Sequence, residues 1–411
     1  MERGTGFLCH EIAIMVAITP RSSRRLWVWT RRGLGPAPWG RRLWGLLLLA
    51  LLANLPNLRF PLRPTYPNIF APGWAWDDYH LLRGLQRGHD FRAMLGWWRG
   101  DWPEGNRFYR PLPSVSLWLD YLLWGWNPWG YLLTAWLLYA VTAAALGSFV
   151  ASVTGRRAYG LAALLSLSWF PLAGGYAVLA FLNPRAELLC GLAILLALHC
   201  GLNYSRRGTS GALLGCVLAS AAALLSKELA LVLPLLAVLV LLLTRRPGPW
   251  SRRLFVPCLM AILVVGWYAL YQAVLPGRLP SPGGPALTPV ASSWHQILVA
   301  FTPAAGVIAV WLLSGPAWGD LLTLWLPARM AQLALALVAL GLLLRCEWRF
   351  ALLVLAWPVV CWLPMLGTHT HAGHYFHIPQ LMVSAAAGTA LWLAGERLAP
   401  WLRRELQHLH N

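Results

Sequence analysis

An all-α polytopic membrane protein, a bundle of about ten transmembrane helices, is the fold class this sequence predicts. Three observations carry that prediction. The 411 residues are 58% hydrophobic and only 11% charged, whereas soluble domains carry about 25% charged residues. Apolar runs of membrane-crossing length recur from residue 43 to residue 394. Lipid offers no water to unpaired backbone groups, so spanning segments are helices or a closed barrel. The runs are continuous and rich in Leu and Ala, not alternating, which decides for helices.

The net charge of +19 does not make this a nucleic-acid binder. The basic pairs sit at the ends of apolar segments, where they set orientation in the bilayer. The cysteines (Cys9, Cys190, Cys200, Cys216, Cys258, Cys346 and Cys361) are scattered, mostly inside apolar runs. They form neither a disulfide framework nor a zinc spacing, and each reads as a small buried hydrophobe.

Residues 1–42 form a basic tail, with Arg21, Arg24, Arg25, Arg31, Arg32, Arg41 and Arg42 predicted to hold it in the cytoplasm. Its apolar patch, Phe7–Thr19, is too short to span and is not followed by a small-residue cleavage site. The membrane domain is predicted over 43–395. Leu43–Leu58 carries the chain outward into a first outer loop, 59–128, bearing surface helices, among them the short apolar Pro113–Trp126. Spans follow at Trp129–Val153, Tyr159–Tyr176, Ala186–Tyr204, Gly211–Leu225, Leu229–Leu243 and Phe255–Leu275, alternating in direction. A second outer loop, 276–326, is rich in Pro, Gly and Ser at its start. Parity makes its Ile297–Leu313 segment re-entrant or interfacial. Pro327–Leu344, Phe350–Leu366 and Phe376–Ala394 complete the bundle, and 396–411 is a basic cytoplasmic tail. On this path every arginine pair faces the cytoplasm and the odd chemistry gathers outside.

The longest polar interval runs from Trp76 to Leu112. Asp77, Asp78, Asp90, Asp101 and Glu104 crowd into it, out of 14 acidic residues in the chain. With Arg110, Arg185, Glu187, Lys227, Glu228, His369, His371, His374 and His377 it makes an outer-face constellation of groups that are costly at a membrane edge and functional candidates for that reason. A carboxylate beside cations suits one chemistry. The acid takes a proton from an acceptor hydroxyl while Arg, Lys or His neutralises a phosphate leaving group.

Neighbouring residues point different ways, so at most one of Asp77 and Asp78 is the base; the plain alternatives are a solvated loop carboxylate, or Asp78 as a helix N-cap. Lys227 is the single lysine of the chain. It reads either as a needed compact ammonium, or more plainly as a lysine snorkelling from a helix end or pairing with Glu228. Arg110, after Tyr109, suits a phosphate by its guanidinium fork or anchors the interface. Arg185 and Glu187 pair with each other or with neighbours, and Arg185 is a further phosphate candidate. The histidines are loosely spaced, with no acidic residue or cysteine nearby in sequence to complete a metal site, so a metal is the weaker reading and none is assigned; a donor-phosphate contact by His374, or plain interfacial polarity, is favoured. Among the 26 tryptophans, most read as an interfacial belt, while those of the first loop are also suited to stacking on a sugar.

One ordered set of motifs adds to this: WDD early in the first loop, YRPL at its end, then NPWGYLLTAWLLYAV, NPRAELL, LLSKELALVLPLL and, late, HYFHIP. In that order they resemble the multi-spanning GT-C glycosyltransferases, above all the protein O-mannosyltransferase-like branch and the transmembrane, TPR-containing O-mannosyltransferases. The resemblance covers roughly Leu43 to Ala394. It implies inverting transfer of a monosaccharide from a polyprenyl-phosphate donor to an acceptor on the outer or luminal side. The base would be Asp77 or Asp78, and Arg110 and Lys227 would lie near the lipid phosphate. Tyr109, Glu187, Glu228 and Tyr375 would support them. His374-Tyr375 stands where an Arg-Tyr is often found, a departure from the pattern. The TPR repeats of the family are not seen up to Asn411.

The sequence expectation is therefore a GT-C-type transferase of the bacterial inner membrane. It would use a lipid-linked sugar, with no further cofactor, on a protein or glycan acceptor, and would have no nucleic-acid partner. A lipid-linked-sugar flippase would instead place charges at the bilayer midplane and show an internal repeat. A non-catalytic assembly subunit is the third reading.

Overall fold

The structure is a computed structural model that describes residues 39–58, 76–88, 90–100, 108–169, 178–179, 182, 184–245, 248–277, 326–365 and 377–408. By backbone contacts the chain divides into residues 1–46 and 47–411; apart from the first part of α1, everything that follows lies in the second unit. Among the described residues every regular element is helical. These are α1 (Trp39–Asn54), α2 (Trp76–Arg87), α3 (Phe91–Gly96), α4 (Pro111–Trp124), α5 (Pro128–Thr154), α6 (Arg157–Trp169), α7 (Arg185–Arg207), α8 (Ser210–Leu224), α9 (Leu233–Leu243), α10 (Trp250–Val274), α11 (Leu326–Trp362) and α12 (His377–His408).

Among the described residues four helices are long and apolar enough to cross a membrane: α5, α7, α10 and the His377–Trp401 part of α12. Stretches near α1, α8 and α9 are apolar but shorter. The class is thus an all-α membrane protein, with four helices of spanning length among the described residues where the whole sequence predicts about ten spans. Part of the difference has local causes. The predicted span Leu229–Leu243 opens as a 3₁₀ turn, Glu228–Val232, before α9 begins. The predicted pair Pro327–Leu344 and Phe350–Leu366 runs together as α11, broken only at Glu347 (φ −145°, ψ 52°). Residues 1–38 of the predicted N-terminal tail, the Ile297–Leu313 segment and nearly all of the second outer loop lie outside the described residues, and α1 begins at Trp39, four residues before the predicted start of the first span at Leu43.

Capping chemistry places the helix ends. Asn127 accepts from the Trp129 N–H, Pro128 fills the first position of α5, and Gly155 closes it in the left-handed conformation (φ 74°). Small residues let α5, α6 and α12 touch backbone to backbone. A Cβ on Gly160 would sit 2.3 Å from the Gly147 carbonyl oxygen, and one on Gly388 would sit 2.2 Å from that of Ala162. Under the first loop, Leu81, Leu82 and Leu85 of α2 pack with Met94, Trp97, Leu117, Tyr131 and Leu182. The loop's helices are therefore fixed to the bundle.

Side-chain contacts give the bundle two chemically distinct ends. At one, Glu347 meets Arg156 and Arg245, while Arg206 donates to the Ser152 carbonyl and to Thr244 Oγ1. At the other end lie the start of α4, the start of α7, the turn between α8 and α9, and the start of α12.

Candidate functional site

Three buried ion pairs hold that second end together. Arg110, at the N-cap of α4, sends Nε (3.1 Å) and Nη2 (2.9 Å) to the same oxygen, Oε2 of Glu228. The Leu112 N–H donates to the Leu225 carbonyl (3.2 Å), which pins the start of α4 to the end of α8. Lys227 Nζ donates to Oε1 of Glu187, and both side chains are buried. Arg185 Nη2 contacts Asp120 Oδ2 at 2.8 Å. The Arg185 guanidinium also donates to Ser116 Oγ and the Tyr131 carbonyl, each at 3.1 Å.

The partners follow from backbone direction. Lys227 is extended (φ −162°, ψ 149°) and Glu228 starts the 3₁₀ turn, so these neighbours face apart. Of the alternatives the sequence offers Lys227, the contact seen is with Glu187 and not with its neighbour Glu228, which turns to Arg110. Arg185 and Glu187, two apart on a helix, also diverge: the arginine reaches α4 and the glutamate reaches Lys227. Burial drags the Lys227 ammonium below its ordinary value, with Glu187 pulling it back up. Burial likewise raises the Asp120 carboxyl, against Arg185 and a hydrogen bond from Thr134.

Asp78 is buried in the first turn of α2, and its Oδ1 accepts from the Leu182 N–H at 3.1 Å. The Leu182 carbonyl in turn accepts from the Arg185 N–H at 3.0 Å. The first-loop carboxylate is thus two hydrogen bonds from the main chain of Arg185, at the start of α7. Asp77 lies in the same turn of α2. Tyr109 is buried against Tyr271, ring centroids 6.4 Å apart, and Arg110 lies over the Phe108 ring at 3.9 Å. His377 is buried at the start of α12 beside Tyr139. His369, His371, His374 and Tyr375 lie outside the described residues, as does the Asp77 side chain.

The structure therefore brings together Asp78, Arg110, Arg185, Glu187, Lys227 and Glu228 from four separated stretches of sequence. It adds Asp120, which the sequence reading passed over. The signal for it was present: Asp120 is the one charge in PLPSVSLWLDYLLW, and an ionisable residue in an apolar helix calls for a partner. Glu347, at the opposite end, was passed over in the same way. Among the described residues no group of three His, Cys, Asp or Glu side chains is placed to hold a metal.

Comparison with protein-family models finds no match, and comparison with curated proteins finds no significant relative.

Proposed function

We propose that this chain is an inverting glycosyltransferase of GT-C type with about ten spans, embedded in a bacterial inner membrane. It moves a monosaccharide from a polyprenyl-phosphate donor to a hydroxyl of a protein or glycan acceptor on the periplasmic face. Asp77 or Asp78 takes the hydroxyl proton as the acceptor oxygen attacks the anomeric carbon, and the sugar–phosphate bond breaks with the electron pair going to the phosphate. Arg110 and Lys227 neutralise that phosphate, with Arg185 and the loop residue His374 as further cationic or polar support. Tyr109, Glu187, Glu228 and Tyr375 position them. The mechanism requires no metal or cofactor beyond the lipid-linked sugar.

The observation that carries this reading is the burial of Arg110 and Lys227 in one cluster with Glu187 and Glu228, linked through the start of α7 to Asp78. Buried ion pairs are poor scaffolding: replacing them with well-packed apolar residues is often neutral or stabilising. A cluster of three such pairs at one end of a membrane bundle is better explained by a ligand that exchanges with them. A lipid phosphate, arriving sideways from the bilayer, is an anion of the right kind to take a cation from its carboxylate.

The test is transfer from a radiolabelled polyprenyl-phosphate sugar by the purified full chain, beside Asp77→Asn and Asp78→Asn. Expected is release of polyprenyl phosphate by the wild type and a loss of about 10²-fold or more in one of the two variants. Turnover unchanged in both removes the base assignment; no turnover in the wild type with any acceptor tried removes the transferase reading.

A further inference from the structure

Glu347 sits at the break in α11 with its side chain buried, and two arginines from other turns close on it. Arg156, between α5 and α6, brings Nε to 3.4 Å from Oε1; Arg245, just past α9, brings Nη2 to 2.7 Å from Oε2. Arg156 is held further by donating from Nη1 to the Tyr159 hydroxyl at 2.6 Å. Both arginine side chains stay half-exposed. Two guanidinium charges against one carboxylate leave the clasp net positive on a side that is open. Orientation in the bilayer explains arginines at helix ends. It does not ask for two of them, from separate turns, to converge on a single carboxylate.

The surface beside the clasp is apolar. α9 packs on both α10 and α11, and its Leu235, Val238 and Leu242 are exposed, spaced as one stripe of a helix. Arg245 follows where that stripe ends. The two helices that α9 touches each carry an exposed tryptophan near this end. Trp250, at the start of α10, lies under the Arg253 guanidinium at 3.9 Å, and Trp348, next to Glu347, lies under that of Arg349 at 5.3 Å. Tryptophan favours the headgroup level of a bilayer, so the clasp stands at that level with an apolar stripe running away from it.

We propose that this end of the bundle holds an anionic phospholipid, its phosphodiester on the Arg156–Arg245 clasp and an acyl chain along Leu235, Val238 and Leu242. Guanidinium forks match phosphate oxygens, and basic notches between membrane helices favour anionic headgroups. A zwitterionic headgroup brings its own cation and gains less. Glu347 competes with the phosphate for the same two arginines, which keeps the hold modest and the lipid exchangeable. The bound lipid braces the α5–α6 turn, α9 and the α11 break against one another. The site lies at the end of the bundle opposite the Lys227 cluster and stands or falls apart from the transferase reading.

The experiment is equilibrium binding of radiolabelled dioleoyl phosphatidylglycerol to the purified full chain in dodecyl maltoside, with dioleoyl phosphatidylcholine as the comparison. Phosphatidylglycerol is expected to bind about tenfold more tightly than phosphatidylcholine and to lose that advantage at high salt. The double variant Arg156→Gln with Arg245→Gln is expected to weaken phosphatidylglycerol binding about tenfold and to leave phosphatidylcholine binding as it was. Glu347→Gln removes the competing carboxylate and is expected to tighten phosphatidylglycerol binding about threefold, a gain that the loss of a merely structural ion pair does not produce. Equal binding of the two lipids by the wild type, or unchanged phosphatidylglycerol binding in the double variant, overturns the proposal. Should the double variant not fold, Glu347→Gln decides alone: unchanged or weaker binding in it overturns the proposal.

Discussion

Lys227 donates into the Glu187 carboxylate across 40 residues of sequence, with both side chains buried. The contact ties the turn between α8 and α9 to the first turn of α7. Removing one partner leaves the other charge buried without the ion pair made here, whereas removing both does not. Lys227→Met is therefore expected to destabilise the protein by about 3–5 kcal/mol, and the double variant Lys227→Met with Glu187→Leu to recover most of that. Thermal unfolding in detergent reads both. A double variant no more stable than the single one would mean the Glu187 charge was never the cost.

Arg110 and Glu228 make a different kind of pair, because two N–H groups of one guanidinium converge on a single oxygen. Lysine cannot reproduce that fork. Arg110→Lys keeps the charge but loses one charged hydrogen bond, worth about 1.5–3 kcal/mol. The expected result is a lower unfolding midpoint, together with a fall in transfer that extra donor does not restore. Full activity in the lysine variant would reduce Arg110 to a simple point charge.

What could be read from the sequence divides along physical lines. Hydropathy and length depend on local composition alone, so α5, α7 and α10 match their predicted spans to within a few residues. The caps Asn127 and Gly155 are local signals of the same kind, although the predicted spans do not rest on them. Partner choice is not local. Lys227 beside Glu228 looks like a pair in one dimension, and only the extended backbone at Lys227 sends the two side chains apart. Asp120 was hidden by its surroundings, since an apolar helix invites reading as a whole and its one carboxylate finds Arg185 from 65 positions away only after folding (185 − 120). The break at Glu347 was foreseen as a loop between two spans, but the sequence carries no Gly or Pro there to set its angle.

The contact between α12 and α6 makes a sharp demand on one residue. A Cβ on Gly388 would stand 2.2 Å from a backbone carbonyl oxygen of Ala162, and backbone cannot swing aside as a side chain can. Gly388→Ala must push the helices apart, at a cost of about 1–3 kcal/mol. Gly341→Ala, where a Cβ meets nothing within 4 Å, is expected to be neutral or slightly stabilising through helix propensity. The unfolding midpoints of the two variants should separate in that order, and equal midpoints would refute the close approach.

At the opposite end the same amino-acid types should behave in the opposite way. Glu347 is flanked by Arg156 at 3.4 Å and Arg245 at 2.7 Å, and its side chain is 3% exposed while theirs are 46% and 47% exposed. When Glu347 becomes Gln, the arginines return to water instead of being stranded in the protein. Half-exposed pairs are screened and contribute about 0–1 kcal/mol, and a buried carboxylate is removed in the same step. Glu347→Gln is thus expected to cost about 1 kcal/mol or less, several-fold below Lys227→Met, and 1 M salt should erase what difference there is. Measured side by side in one detergent, the two variants separate a charge cluster sealed inside the bundle from one that water already reaches. Equal costs would mean that the Lys227 site is as open to solvent as the arginine end, and its cations would then have no enhanced hold on a phosphate.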